Sequence, residues 1–200
     1  MNRIGECFQI RRAQGRKVLV GYLTAGDPDM AASEADIRAA VAEGVDVLEL
    51  GVPFSDPTAD GPVIQAAAFR SLQAGTTTTT VLELVRRLRC DLATPIVLFG
   101  YANPVFVYGY ERYCRDAAAA GADGLLIVDL PYEEAGELRA AAARHGLALI
   151  PLIAPTTPKA RAATILAEAT GFVYYILFRG VTGARRFEGP KPHLKCAIIP

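Results

Sequence analysis

The segment VDVLELG, Val45–Gly51, is one of six short β-rich apolar runs that alternate with longer segments rich in Ala, Leu, Arg and Glu. These runs are apolar at nearly every position rather than at every second one, a pattern typical of parallel strands covered on both faces. The strands predicted from them are Val18–Leu23, Val45–Leu50, Ile96–Phe99, Gly124–Val128, Leu147–Ile153 and Phe172–Leu177.

Helices are predicted between these runs, because the intervening stretches carry recognisable start and stop signals. Glycines that suit helix C-caps stand just before strands at Gly44, Gly121, Gly146 and Gly171. Pro158 suits a first helical turn, and the Thr76–Thr80 run is interpreted as a polar helix entry. The predicted helices are Met30–Ala42, Pro62–Gln73, Val81–Leu88, Glu111–Ala120, Glu133–Arg144 and Pro158–Ala169.

Repeated βα units are compatible with two architectures, a TIM-type barrel and an open doubly wound sheet. The first strand–helix turn reads TAGDPDM, residues 24–30, and lacks the GxGxxG pattern of dinucleotide-binding sheets. We therefore predict an α/β fold of the TIM (β/α)8 type, with only about six βα units in this chain.

Length, composition and charge exclude several classes of protein. The chain has 200 residues, 52% of them hydrophobic, which indicates a compact domain rather than a disordered chain. Its 21 basic and 21 acidic side chains cancel, which argues against nucleic acid or an anionic membrane as a partner. No apolar run approaches the ~20 residues of a membrane-spanning helix, and the N-terminus is too polar for a secretory signal. The four cysteines form no CxxC pair, so we expect a reduced, cytoplasmic compartment without disulfides or zinc.

Glu49 is the first candidate for chemistry, because the C-terminal ends of barrel strands carry the active site. It alternates with Val45 and Val47, so its carboxyl group should point to the same side as an apolar column. Burial raises the pKa of a carboxyl group and would suit Glu49 to give and take protons near neutral pH. The alternative is a structural carboxylate paired with a nearby arginine.

The loop after this strand, GVPFSDPTADGP at residues 51–62, holds two more carboxylates between prolines and glycines. Asp60 is a candidate second catalytic carboxylate, because prolines fix the path of a loop that must position such a group. Asp56 competes for that role. Ordinary turn chemistry is the commoner explanation for either aspartate taken alone.

Two further loops carry polar groups at the ends of predicted strands. The segment Arg179–Gly183, RGVTG, could present backbone N–H groups and a hydroxyl to a phosphate, although a plain turn is the simpler explanation. Asp27 and Asp129 follow the first and fourth strands, and each is expected either to orient a ligand or to cap a helix.

Histidines and tyrosines contribute less to the prediction. His145 stands at a helix end, where capping and the helix dipole explain it, and His193 lies in the irregular C-terminal part. Two separated histidines support neither a metal site nor a Ser/His/Asp triad. One of Tyr174 and Tyr175 should face the barrel interior, either flanking a flat substrate or packing in the core.

Six segments, in the same order and spacing, resemble the tryptophan synthase alpha chain family. They extend from near the N-terminus to about residue 186, and an ordered set is far more specific than any single motif. The segments are GYLTAGDP at Gly21–Pro28, LELGVPFSDPTADGPVIQ at Leu48–Gln65, GYANPVF at Gly100–Phe106, GLLIVDLP at Gly124–Pro131, LIAPTTP at Leu152–Pro158 and GVTGAR at Gly180–Arg185.

The resemblance implies a TIM-barrel lyase of L-tryptophan biosynthesis. Its reaction is the aldol-type cleavage of indole-3-glycerol phosphate to indole and glyceraldehyde 3-phosphate, without a metal or an organic cofactor. Carried over by position, Glu49 would be the general acid/base that protonates the indole ring, and Asp60 would accept the indole N–H. The implied substrate-binding residues are Tyr22, Phe99, Leu126 and Tyr174 at the indole pocket, and Thr182 and Gly183 in a mobile loop that closes over the substrate.

The resemblance also implies a protein partner. The family's alpha chain docks on a beta chain that consumes the indole, in a complex of the alpha2-beta2 type. The loop around Phe54–Thr58 and the segment Asn103–Phe106 would lie at the contact. Pyridoxal phosphate would belong to the beta partner and not to this chain.

The C-terminal part departs from the family. We predict a lyase domain over residues 1–186 and an irregular tail with three prolines over 187–200. The family's strands seven and eight, with their phosphate-binding loops, are not expected in this sequence. The chain is therefore expected to be truncated or frame-shifted after about residue 186, and weakly active or inactive alone. Two other functions stay open, a non-catalytic homologue that modulates the beta chain and a different sugar-phosphate lyase, against which the Glu49–Asp60 loop argues.

Overall fold

Five parallel strands in sequence order form the main sheet, and a second pair of short parallel strands follows it. A computed structural model describes residues 2–176 of the chain. The main sheet contains β1 (Val20–Thr24), β2 (Val47–Gly51), β3 (Ile96–Gly100), β4 (Gly124–Ile127) and β5 (Ala148–Leu149). The second pair contains β6 (Leu152–Ile153) and β7 (Tyr174–Tyr175).

Helices alternate with these strands, as predicted for a barrel of βα units. All the predicted helices are present, and two of them, Met30–Ala42 and Pro62–Gln73, have the predicted bounds. The helices are α1 (Arg3–Ala13), α2 (Met30–Ala42), α3 (Pro62–Gln73), α4 (Thr78–Arg89), α5 (Ala102–Tyr108), α6 (Tyr110–Ala120), α7 (Gly136–Arg144) and α8 (Lys159–Ala167).

Local end signals behave as the sequence indicates. Thr77 caps α4 in a reciprocal capping box with Thr80, which confirms the polar helix entry and starts the helix earlier than Val81. The four predicted cap glycines all have positive φ, between 70° and 110°. Helix α7 begins at Gly136 instead of Glu133, because the chain turns there with the Glu134 N–H donating to the Pro131 carbonyl.

The two faces of the sheet carry separate apolar clusters. The outer cluster joins alternate strand residues such as Leu48, Leu98 and Leu125 to the helices. The inner cluster joins the intervening residues, such as Val97 and Leu126, to one another. Burial of both faces accounts for strands that are apolar at nearly every position.

Helix α1 packs at the N-terminal ends of the strands, although the sequence did not predict it. Its Ile4 and Phe8 are buried in the inner cluster. Two buried aspartates hold this end of the barrel together. Asp123 accepts from Arg3 and Arg89 at 2.8 Å, and Asp46 is ion-paired with Arg11.

The predicted fifth strand, Leu147–Ile153, is divided in two. Its first half pairs with β4, where the Ile150 N–H donates to the Leu125 carbonyl, and its second half pairs with β7. The break falls at Pro151, which has no N–H to donate but accepts from the Tyr174 N–H through its carbonyl oxygen. One predicted strand therefore serves two neighbouring sheets. Residues 177–200, including the end of the predicted sixth strand, lie outside the described part of the chain.

Candidate active site

Glu49 lies on the inner face of the sheet, as its alternation with Val47 predicts. Val47 belongs to the inner apolar cluster, whereas Leu48 and Leu50 belong to the outer one. Glu49 is therefore directed into the barrel near the C-terminal end of β2, in register with Tyr22 of β1. This is the end of a barrel strand where catalytic groups lie.

The carboxyl group of Glu49 is buried without a charge partner. The residue is 5% exposed, and within residues 2–176 its Oε1 is the one buried side-chain oxygen that lacks a hydrogen-bond partner. Burial alone raises the pKa of Glu49 to about 7. Protonated and ionised forms therefore coexist near neutral pH, as general acid/base chemistry requires. The alternative, a carboxylate paired with an arginine, does not occur within the described residues.

Two aromatic rings lie on the strands that flank β2, Tyr22 in register with Glu49 and Phe99 in register with Gly51. Tyr22 and Phe99 meet edge to face, with ring centroids 5.2 Å apart. The Tyr22 ring passes over β2 at Gly51, where an added Cβ would lie 2.2 Å from the Tyr22 hydroxyl. Only a residue without a side chain leaves room for this crossing. Burial is the main cause that raises the pKa of Tyr22 to about 12, so its hydroxyl stays protonated at neutral pH.

Asp60, and not Asp56, is the buried carboxylate of the loop after β2. Asp60 is 5% exposed and accepts a hydrogen bond from the Tyr101 hydroxyl at 2.9 Å, whereas Asp56 is exposed and accepts from Ser55. Burial raises the pKa of Asp60, and the Tyr101 hydrogen bond opposes that change. The position of Asp60 suits a second functional carboxylate better than that of Asp56.

The remaining predicted pocket residues divide into those that the structure describes and those that it does not. Leu126 is fully buried in the inner cluster and is in register with Phe99. Tyr174 packs against the same cluster, while Tyr175 is 44% exposed, so one tyrosine of the pair faces inward as predicted. Thr182 and Gly183 lie outside the described residues.

The loop after β1 is hydrogen-bonded to α2 and α3, and these contacts restrain the end of the strand that carries Tyr22. The Ser71 hydroxyl donates to the Ala25 carbonyl at 2.5 Å, and the Gly26 N–H donates to the Ser33 hydroxyl at 3.0 Å. Asp27 forms a bidentate ion pair with Arg70, and both N···O distances are 2.7 Å. Asp27 is therefore occupied by a structural contact. Among the described residues, Glu49 and Asp60 are the buried carboxylates at this end of the barrel.

The sequence of the chain is similar to one enzyme family over most of its length. A sequence model described as tryptophan synthase alpha chain matches residues 8–193. The tryptophan synthase alpha chain of Geobacter sulfurreducens is 52% identical over 185 residues, which cover 92% of this chain and 70% of that protein. The chain belongs to the tryptophan synthase alpha chain family.

Further relatives of this family agree in sequence and in fold. The alpha chain of Gluconacetobacter diazotrophicus is 54% identical over 186 residues, covering 92% of this chain and 68% of that one. The crystal structure of the tryptophan synthase alpha chain from Legionella pneumophila matches with a TM-score of 0.85 at 42% identity, covering 88% of this chain and 66% of that one. The chain thus spans about two thirds of the length of these relatives.

As a member of the tryptophan synthase alpha chain family, the chain is a TIM-barrel α/β protein of the carbon–carbon lyase class. The family cleaves indole-3-glycerol phosphate in tryptophan biosynthesis, and its alpha chain is generally a subunit of a complex with a beta chain. None of the helices described over residues 2–176 is both long enough and apolar enough to cross a membrane.

Tyr101 is the site residue that the sequence did not predict. It follows β3 and stands at the start of α5, is 4% exposed, and contacts Asp60 across 41 positions of the sequence. The sequence feature that could have indicated Tyr101 is its position directly after a predicted barrel strand, where active-site residues lie. Asp129 accepts from the Ala102 N–H at 2.7 Å and so caps α5, and His145 ends α7 with its Nε2 2.7 Å from a Glu111 oxygen.

Proposed function

We propose that this chain cleaves indole-3-glycerol phosphate with Glu49 as the general acid/base and Asp60 as the group that stabilises the indole nitrogen. The observation that carries the proposal is the buried, unpaired Glu49 carboxyl group, with its pKa near 7, on the inner face beside Tyr22. The family's reaction requires a proton donor at the indole ring, and no other described group inside the barrel has these properties.

Protonated Glu49 donates its proton to the ring carbon that carries the glycerol phosphate side chain. The ring then bears a positive charge at nitrogen, which the Asp60 carboxylate stabilises by accepting the indole N–H. As the carbon–carbon bond breaks, its electron pair restores the aromatic ring, and the adjacent hydroxyl becomes the aldehyde of glyceraldehyde 3-phosphate. The proton of that hydroxyl passes to the Glu49 carboxylate, which returns Glu49 to its protonated form.

The indole ring is proposed to lie between Tyr22, Phe99 and Leu126, with Tyr174 at its edge. This assignment is supported by the positions of the four side chains, because all of them face or pack against the barrel interior into which Glu49 points. Flat aromatic and aliphatic surfaces suit a flat heteroaromatic ring. Thr182 and Gly183 are proposed, from sequence only, to belong to the loop that covers the substrate.

Indole release from indole-3-glycerol phosphate tests the proposal. We expect Glu49→Gln and Asp60→Asn each to lower kcat by on the order of 10²–10⁴-fold, because each removes a group that acts on the reacting ring. Exposed carboxylates in α2 and after β4 supply matched controls, Asp36→Asn and Glu134→Gln, which should retain activity. If Glu49→Gln released indole at the wild-type rate, the proposed mechanism would be wrong.

We further propose that the chain docks on a beta chain in an alpha2-beta2 complex, with pyridoxal phosphate held by that partner. Exposed apolar side chains support the contact, because Phe106 and Val107 of α5 are 67% and 76% exposed. The loop Phe54–Thr58 contacts the start of α5, where the Phe54 ring packs on Tyr101. The unpaired Cys7, Cys90 and Cys114 suit the reduced cytoplasm in which we place the complex.

Titration with a purified tryptophan synthase beta chain tests the docking surface. Phe106→Asp should weaken binding at least tenfold in calorimetry, because it places a charge in an apolar contact. Phe69→Asp changes a phenylalanine of α3 that is 62% exposed, and this control should bind normally. If the two variants bound the beta chain with equal affinity, the proposal that α5 forms the contact would be wrong.

A further inference from the structure

The hydroxyl group of Tyr101 forms hydrogen bonds with two adjacent residues of the loop after β2, Ala59 and Asp60. Its oxygen accepts the Ala59 N–H at 3.0 Å, and it donates to Oδ2 of Asp60 at 2.9 Å. A backbone N–H can only donate, so the single hydroxyl proton is committed to the carboxylate. The direction of the Tyr101–Asp60 hydrogen bond is thus determined by the geometry.

Tyr101 is itself held firmly. The residue is 4% exposed, its ring packs on Phe54 with centroids 5.4 Å apart, and its backbone joins β3 to α5. The neighbouring Asp129 fixes the start of α5 by accepting the Ala102 N–H. A hydroxyl anchored to a strand end can hold a side chain that is carried by a loop.

Within residues 2–176, the pKa of Asp60 responds to burial and to the Tyr101 hydrogen bond, and to no basic group. The neighbouring groups are acidic, since Tyr22 interacts electrostatically with both Asp60 and Glu49, and Asp129 interacts with Tyr101. None of these groups favours the ionised form of Asp60, whereas a hydrogen bond donated to the carboxylate does. Tyr101 is accordingly the described side chain that keeps Asp60 an acceptor.

We propose that Tyr101 is a positioning residue for the lyase reaction, which holds Asp60 in place and in its ionised form so that the carboxylate can receive the indole N–H. The inference rests on the proposed function of Asp60 but adds a residue that acts only through it. Tyr101 transfers no proton and touches no reacting atom. A purely structural tyrosine would fill space equally well without its hydroxyl.

Tyr101→Phe tests the proposal, because it keeps the ring and its contact with Phe54 but removes the hydrogen bond. In the full chain with 13C-labelled aspartate, the NMR titration midpoint of Asp60 should move to higher pH by roughly one unit, as expected for losing a hydrogen bond to a charged group. In the indole-release assay, kcat should fall on the order of tenfold with little change in KM. The acid limb of the pH profile should move to higher pH, because Asp60 must be ionised.

Tyr108→Phe is the matched control, since the Tyr108 hydroxyl donates to Asp116 at 2.8 Å on the outside of the barrel. It should leave the Asp60 titration and the pH profile unchanged. In an Asp60→Asn background, adding Tyr101→Phe should cause no further loss of kcat. An unchanged Asp60 midpoint in Tyr101→Phe overturns the proposal, and so does an undiminished loss of kcat in the Asn background.

Two outcomes separate this proposal from the proposed function. If the wild-type chain released no indole even with a purified beta chain present, but the Asp60 midpoint still moved in Tyr101→Phe, the lyase assignment would fall and the role of Tyr101 would stand. If Tyr101→Phe failed to fold by circular dichroism, the hydroxyl proton of Tyr101 would be observed directly in tyrosine-labelled wild-type protein. A protected resonance that disappears in Asp60→Ala, which has no acceptor, supports the hydrogen bond, and its absence from the wild type refutes it.

Discussion

Replacing Glu49 by glutamine should raise the free energy of unfolding, relative to the wild type, more at pH 8.5 than at pH 4.5. Burial raises the pKa of Glu49 from 4.5 to about 7, so the folded state favours the protonated form. As the pH rises above 4.5, the carboxyl group ionises first in the unfolded chain, which lowers the free energy of unfolding. The loss is complete once the pH passes about 7 and amounts to roughly 3 kcal/mol.

Glutamine does not ionise, so the variant escapes this loss. Any constant difference in packing or hydrogen bonding between the two side chains is independent of pH and cancels when the two conditions are compared. Urea denaturation at both pH values therefore measures the ionisation effect alone. Glu134→Gln, at an exposed position, is the control and should show no such dependence. A stability difference between Glu49→Gln and wild type that stays constant with pH would mean that Glu49 is hydrated or paired, and the reasoning would fail.

Two further substitutions test the packing around the site. Gly51→Ala should lower the free energy of unfolding by about 1–3 kcal/mol, because its Cβ would lie 2.2 Å from the Tyr22 hydroxyl. Gly136→Ala, where a Cβ meets nothing within 4 Å, should cause no loss in the same urea titration; equal losses would contradict the crowding at Gly51. Asp123→Asn should cost about 3–5 kcal/mol in thermal unfolding, because the half-buried guanidinium of Arg89 then loses its negatively charged partner. A cost below about 1 kcal/mol would show that this pair is replaceable.

Elements with strong local signals were predictable. The parallel strands, the bounds of α2 and α3 and the cap glycines follow from hydrophobic patterning and from positive-φ requirements within a few residues. Helix α1 was missed because only Ile4 and Phe8 are buried, a pattern too sparse to distinguish it from a polar N-terminus. Helix α5 was missed because it is short and contains Pro104, which its first turn tolerates.

The site was predictable in part. The direction of Glu49 follows from its alternation with Val47, and the preference for Asp60 over Asp56 came only from resemblance until burial distinguished them. The contact with Tyr101 could not be predicted, because 41 residues separate the partners. The division of the fifth strand at Pro151 also depends on which neighbours are available to pair with each half.

The sequence by itself determined the order of strands and helices, the family, and the side of β2 on which Glu49 stands. These depend on backbone geometry over a few residues, and side chains alternate along a strand whatever the surroundings. Only the tertiary structure decided that the Glu49 carboxyl group is unpaired and that Tyr101 donates to Asp60. Proton affinity and hydrogen bonding depend on water exclusion and on atoms brought from distant parts of the chain, which folding alone places together.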